Sequence, residues 1–360
     1  MKEEHQKIYK KLEPMKSIDI EKAEDTDELV TAMGKTAFSG RALGEALEVL
    51  WDMVNDKNCL KVLTLSGAMT MAKMGLIITQ MIEKRIIDAV VSTGAIISHG
   101  FIESAGLTHF KNPGNISDEK LRELRLDRVY DTLESESNFD EADKIVTKVL
   151  EAQDTEKTLC SHVLVRELGK YLYENVKGKS IFSAAYKNNV PIFIPAFTDC
   201  EMGLDFALYN RKQKMAGRRE LQFNPFLDLE KYSDMVTKAE KTGILTLGGG
   251  VPRNWAQQVA PFLDIYKYRI LAGGDEKKYE AMDAKDEYYK PFWYGVRICP
   301  EPVHWGGLSG CTYSEGVSWG KFVPRSQGGK MAEVFADATI GFPVLMKALF
   351  ERMEKNNIKL

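Results

Sequence analysis

Residues 61–95 read KVLTLSGAMTMAKMGLIITQMIEKRIIDAVVSTGA. Lys61-Val62-Leu63-Thr64-Leu65 is a compact β-type run that stops at Ser66-Gly67-Ala68. Helical spacing follows from about Met71 to Lys84, and Ile86-Ile87-Asp88-Ala89-Val90-Val91 is a second buried strand closed by Ser92-Thr93-Gly94-Ala95. Strand, small-residue turn, helix and strand make a βαβ unit, which requires a parallel sheet with right-handed crossovers.

The unit recurs along the chain. Val190-Pro191-Ile192-Phe193-Ile194-Pro195-Ala196 predicts a third strand ending at Phe197-Thr198-Asp199. Gly243-Ile244-Leu245-Thr246-Leu247 predicts a fourth, followed by Gly248-Gly249-Gly250, and Gly295-Val296-Arg297-Ile298-Cys299 a fifth. Between the second and third strands, residues 116–180 are charge-rich and helical in period, with apolar faces at Ile145, Val146, Val149 and Leu150, then Leu164, Val165, Leu168 and Leu172. No linker, repeat or low-complexity tract divides the chain. The expectation is one large α/β domain over 29–360, with a mainly parallel sheet and helices on both faces, preceded by a charged arm over 1–28. Small or polar residues follow most strands, where open α/β sheets bind ligands.

Composition narrows the function. The 360 residues are 44% hydrophobic and 28% charged with a formal net charge of −3, so no global basic field points to nucleic acid. The five cysteines, Cys59, Cys160, Cys200, Cys299 and Cys311, are scattered and odd in number, as expected of free thiols in a reducing cytoplasm. The histidines His5, His99, His109, His162 and His304 show no ligand spacing, so no metal is expected. The N-terminus lacks an apolar signal core, and the apolar stretch Met69 to Ile97 is broken by Lys73, Gln80 and Glu83-Lys84-Arg85. A soluble protein without membrane contact is expected.

Two segments carry chemistry. Gly248-Gly249-Gly250 lets backbone amides approach a pyrophosphate, or serves as a tight strand-to-helix turn. Asp199 is either a helix N-cap or a contact to a ribose or amine. Glu315-Gly316-Val317-Ser318-Trp319-Gly320-Lys321 is sharper. A lysine desolvated beside an aromatic wall loses stability in its charged form, and the neutral amine then attacks carbonyl or imine carbons. Trp319 also suits a cationic alkylamine, and Glu315 can bind that amine or move its protons. The competing reading is a surface lysine in a turn.

EGVSWGK, followed by VFADATIGFPVLM at 334–346, resembles the active-site signature of deoxyhypusine synthase. The similarity continues through VLTLSGAMTMAKMG, IIDAVVSTGA, VPIFIPAFTD and TGILTLGGGV, in the family's order, over about residues 30–350. The resemblance implies a Rossmann-like core, NAD as cofactor, and a homotetramer with active sites at the interfaces of tight dimers. It implies oxidation of spermidine, loss of diaminopropane, and an aminobutyl group carried as an imine on Lys321 to an amine acceptor. A lysine of a translation factor is the family's default acceptor. The family's NAD contacts fall on Thr93, Gly94, Asp199, Gly249, Asp337 and Ala338, its substrate contacts on Glu315 and Trp319.

Departures cluster in the polyamine pocket. The family's glutamate pair becomes Ser98-His99, an acid becomes Leu204 beside Asp205, and the histidine after the glycine triplet becomes Asn254. Two further acids become Leu308 and Trp305, and the contact near Met69-Thr70 is replaced. Cationic amines need nearby opposite charge, so the resemblance implies a shifted recognition with the imine machinery kept. His99 is a candidate replacement base in the substrate pocket, or a satisfied structural histidine. The expected activity is aminoalkyl transfer. Transfer to a small diamine, amine dehydrogenation without transfer, and a silent NAD-binding paralogue are the rivals.

Overall fold

The computed structural model describes residues 2–282 and 288–358. Six strands form its central sheet: β1 (Cys59–Leu65), β2 (Ala89–Ser92), β3 (Ile192–Phe193), β4 (Lys241–Leu247), β5 (Tyr294–Ile298) and β6 (Lys330–Val334). Every pairing is parallel. Across the sheet the strands run β6-β5-β4-β1-β2-β3, so the order reverses between β1 and β4. At such a reversal the connections leave toward opposite faces and a crevice opens beyond the strands' carboxyl ends.

Alternation along the strands separates two cores. Leu63, Val90, Leu245 and Val296 face one side, packed with Leu47 and Leu50 of helix Phe38–Asn55 and Leu345 and Leu349 of helix Ala338–Lys355. Val62, Val91, Ile244 and Met331 face the other, against Tyr232 and Val236 of helix Phe226–Lys238 and Ala256 of helix Gly250–Gln257. Helices therefore cover both faces, and strands buried on both sides read as continuous apolar runs.

The expected elements shift in instructive ways. β2 starts at Ala89 because Asp88 is a fastener, its Oδ2 accepting from Lys61 N at 2.8 Å. β3 keeps only two residues between Pro191 and Pro195, neither of which has an N–H to donate. The helix expected from Met71 begins at Gly75, since Lys73 adopts a left-handed φ of 63°. Residues 116–180 are not all helical: Leu126–Val129 and Thr132–Ser135 pair antiparallel as a hairpin. At the N-terminus, helix Thr26–Met33 begins inside the expected arm because buried Asp27 pairs with Arg352 Nε at 2.7 Å. Among the described residues, no helix is long and apolar enough to cross a membrane.

Candidate active site

The Lys321 segment is built as a short helix and a left-handed turn. Thr312 caps helix Tyr313–Ser318, its Oγ1 accepting from Glu315 N at 3.1 Å. Gly320, at φ 69°, turns the chain so that Lys321 N donates to Gly316 O at 2.9 Å. Lys321 O accepts from Phe292 N at 2.9 Å, and the buried rings of Tyr313 and Phe322 pack 4.6 Å apart behind it. The residue before and the residue after the lysine are thus fixed, and only its side chain enters the depression.

There Lys321 Nζ donates to Asn254 Oδ1 at 3.1 Å and lies 5.8 Å from the centre of the Trp319 ring. Burial lowers its pKa, and the Arg253 guanidinium lowers it further, while Cys311 and Glu315 oppose. Glu315, Trp319, Leu308 and Thr312 share the lining. Trp319 is 64% exposed, so the aromatic wall is open on one side.

Two buried arginines hold the loop that leads into this helix. Arg253 Nη2 donates to Cys311 O at 2.6 Å, and Arg297 Nη1 donates to Ser309 O at 2.6 Å and Cys311 O at 2.8 Å. Arg297 Nη2 also pairs with Glu333 at 2.5 Å, and Glu333 Oε1 accepts from Tyr313 N at 2.9 Å. The sequence reading passed over all three. A visible signal existed: Arg297 is the charged residue inside an otherwise apolar strand.

The candidate cofactor residues stand after the strands' carboxyl ends. Thr93 Oγ1 donates to Gly67 O at 3.0 Å, and a Cβ on Gly94 would lie 2.2 Å from Cys200 Cβ. Gly94 and Gly249 begin helices Ala95–Ser104 and Gly250–Gln257, and neither helix has a side-chain cap. Gly249 N donates to Ser66 Oγ at 2.9 Å, and a Cβ there would meet Ser309 Cα at 2.5 Å. The missing side chain at Gly249 thus admits the chain's own loop. Asp337 caps the last helix, its Oδ1 accepting from Thr339 N at 2.7 Å, and Ala338 is buried behind it. Asp199 is exposed, with no partner for its carboxylate among the described residues.

His99 opens into a second depression with Asp199, Glu201 and Leu204. Behind it, His99 Nδ1 lies 3.0 Å from Oε2 of fully buried Glu134, and His109 Nε2 lies 2.7 Å from the same oxygen. Glu134 and His109 were not legible as partners of His99. Asp205 is not in the lining that Leu204 joins, and its carboxyl is pushed up to about 6 by burial, then by Asp143 and Glu201. Lys321, Glu315 and Trp319 therefore come together in one depression, His99 and Asp199 in another.

Comparison with known proteins adds lineage to this geometry. The family model for deoxyhypusine synthase matches residues 28–349. "Probable deoxyhypusine synthase 2" of Methanosarcina acetivorans is 36% identical over 344 residues, covering 94% of this chain and 90% of its own. A protein of the same name from Archaeoglobus fulgidus is 36% identical over 318 residues, covering 88% of this chain and 95% of its own. A "Deoxyhypusine synthase-like protein" of Chlorobaculum parvum is 32% identical, covering 92% and 88%. A crystal structure of a candidate deoxyhypusine synthase from Entamoeba histolytica superposes with a TM-score of 0.55 at 17% identity, covering 94% of this chain and 97% of that one. That likeness concerns the fold.

Proposed function

Because the chain belongs to the deoxyhypusine synthase family, a family of transferases, we propose that it moves an aminobutyl group from a polyamine such as spermidine to an amine acceptor through an imine on Lys321. The observation that carries this is the half-buried Lys321 amine, depressed in pKa and aimed at Asn254 beside Trp319 and Glu315. A deprotonated amine adds to an oxidised, imine-type carbon of the donor. Diaminopropane leaves as the lone pair of Lys321 Nζ closes a new C=N bond. The acceptor amine then attacks the same carbon and frees the lysine. Glu315 balances the substrate's ammonium charge, and the open face of Trp319 holds its methylene chain.

NAD is the cofactor of this reading, and the residues present fit it. The strand order 3-2-1-4-5-6 matches that of Rossmann-like, doubly wound dinucleotide-binding sheets, and the helix after β4, at the reversal, and the helix after β2, one strand away, begin without side-chain caps. Thr93, Gly94, Gly249, Asp337 and Ala338 would line the dinucleotide, with the unpartnered Asp199 carboxylate suited to a ribose hydroxyl or an amine. When bound, NAD supplies hydride acceptance from the donor and hydride return to the product imine. Residues 29–360 act as the catalytic domain, after the arm. A cytoplasmic homotetramer fits the five unpaired cysteines and the exposed Trp305, Leu308 and Trp319, which a second copy would cover.

The test is incubation with butyl-labelled spermidine and NAD, with either a translation-factor lysine or putrescine as acceptor. Label fixed to Lys321 by borohydride, and chased into an acceptor, is the expected result. Recovery in the protein fraction identifies deoxyhypusine synthesis, and recovery in small molecules identifies diamine transfer. NADH accumulation with no trapped adduct would leave a dehydrogenase instead.

A further inference from the structure

His99, His109 and Glu134 do not touch Lys321, yet their proton positions are almost fully determined. Lys73 Nζ lies 2.8 Å from His109 Nδ1. An ammonium only donates, so His109 Nδ1 accepts and its proton sits on Nε2. That Nε2 stands 2.7 Å from Glu134 Oε2, off the line of its N–H. Glu134 Oε1 accepts from Asn138 Nδ2 at 2.9 Å, so both carboxylate oxygens are engaged. Burial alone would raise this carboxyl, but His109, His99 and Asn138 around it outweigh that and hold the pKa at about 2. An ionised Glu134 only accepts, so the proton between it and His99 belongs to His99 Nδ1. The remaining nitrogen, Nε2, has no partner among the described residues, and its ring lines the depression with Asp199, Glu201 and Leu204.

We propose that Glu134 is a positioning residue that fixes His99 as the Nδ1–H tautomer, making His99 Nε2 a base for an ammonium group bound beside Asp199 and Glu201. The inference deepens the aminobutyl-transfer reading and rests on it only for the nature of the ligand. The proton leaves the substrate nitrogen for Nε2, and Glu134 balances the imidazolium that results. The charges facing His99 are Glu134 behind it and Asp199 and Glu201 in front, with the His109 ring and Phe139 at its edges. The same three ligand atoms lie close enough for a metal ion. A metal-bound imidazole, however, carries its second proton toward an acceptor, and here a lysine ammonium occupies that position.

The experiment uses the full chain and Glu134→Gln, which keeps volume and one acceptor oxygen but removes the charge, beside His99→Gln and His99→Glu. Ring-nitrogen NMR of the enzyme without substrate reads the tautomer of His99 independently of turnover. The wild type is expected to show Nδ1–H, and Glu134→Gln, whose amide can accept or donate, to show a mixture of tautomers. Spermidine-dependent NADH formation should fall about 100-fold in His99→Gln. His99→Glu should recover part of it, with the acid limb of the pH profile moved to lower pH. An Nε2–H tautomer in the wild type, an unchanged tautomer in Glu134→Gln, or zinc at one equivalent per chain would overturn the proposal. If no amine yields NADH in the wild type, the transfer reading fails while the NMR result still decides the dyad.

Discussion

Arg297 and Glu333 stand opposite each other in the parallel register of β5 and β6, joined at 2.5 Å, and the same guanidinium grips the carbonyls of Ser309 and Cys311. The sheet's interior is thereby tied to the loop that introduces Glu315 and Lys321. Arg297→Met leaves Glu333 without its buried partner and should lower unfolding free energy by about 3–5 kcal/mol. Urea denaturation measures this. A midpoint unchanged from wild type would mean that the pair carries no such weight.

Lys321→Ala should abolish borohydride-trappable adduct and transfer while leaving NAD affinity unchanged, as read by calorimetry. Turnover surviving the substitution would remove the imine from the mechanism. Lys321→Met tests the desolvation. The folded state depresses this pKa from 10.5, so between the folded value and 10.5 the unfolded chain binds the extra proton, and stability rises with pH there. Below that window the buried ammonium costs stability. The Met variant should therefore be more stable than wild type at neutral pH, with the advantage vanishing near pH 10.5.

Asn254→Asp reverses the electrostatics at the same nitrogen. A carboxylate in place of the amide oxygen, 3.1 Å from Nζ, favours the ammonium and should raise the lysine pKa by about 1–3 units. Less neutral amine is then present at pH 7, and adduct formation should slow at least about tenfold. Raising the pH should restore it. A trapping rate that falls equally at every pH would instead indicate lost geometry.

These tests probe features of unequal visibility in the sequence. Four of the five expected strands lie near their runs because buried parallel strands are continuous apolar blocks, while β3 shrinks between two prolines. β6 escaped notice because Lys330–Val334 carries Glu333 inside it, and its charge makes sense only once Arg297 is opposite. The hairpin 126–135 was hidden by charge, with Leu133 and Glu134 as its buried residues. Lys321, Trp319 and Glu315 were legible because one short helix and a turn bring them together. His99 was visible as a departure, but Glu134 joins it from 35 positions away through that hairpin, a distance no periodicity spans. At Gly249 the sequence offers room for a close backbone approach, but it does not show that the space a side chain would take holds Ser309, sixty positions on, a contact no periodicity announces.

That last contact yields a separate prediction. Gly249 has φ −179°, outside the left-handed region that favours glycine, so Gly249→Ala is decided by what its side chain meets. Its new methyl group would meet Ser309 Cα at 2.5 Å, a backbone atom that retreats only if the loop moves. Arg253 and Arg297 hold that loop by its carbonyls, so overpacking here should cost about 1–3 kcal/mol and displace Glu315 relative to Lys321. The expected signature is a lower thermal midpoint with adduct formation slowed more than NAD binding is weakened. Weaker NAD binding alone, at wild-type stability, would mean that Gly249 serves the cofactor only and that its contact with the loop carries no weight.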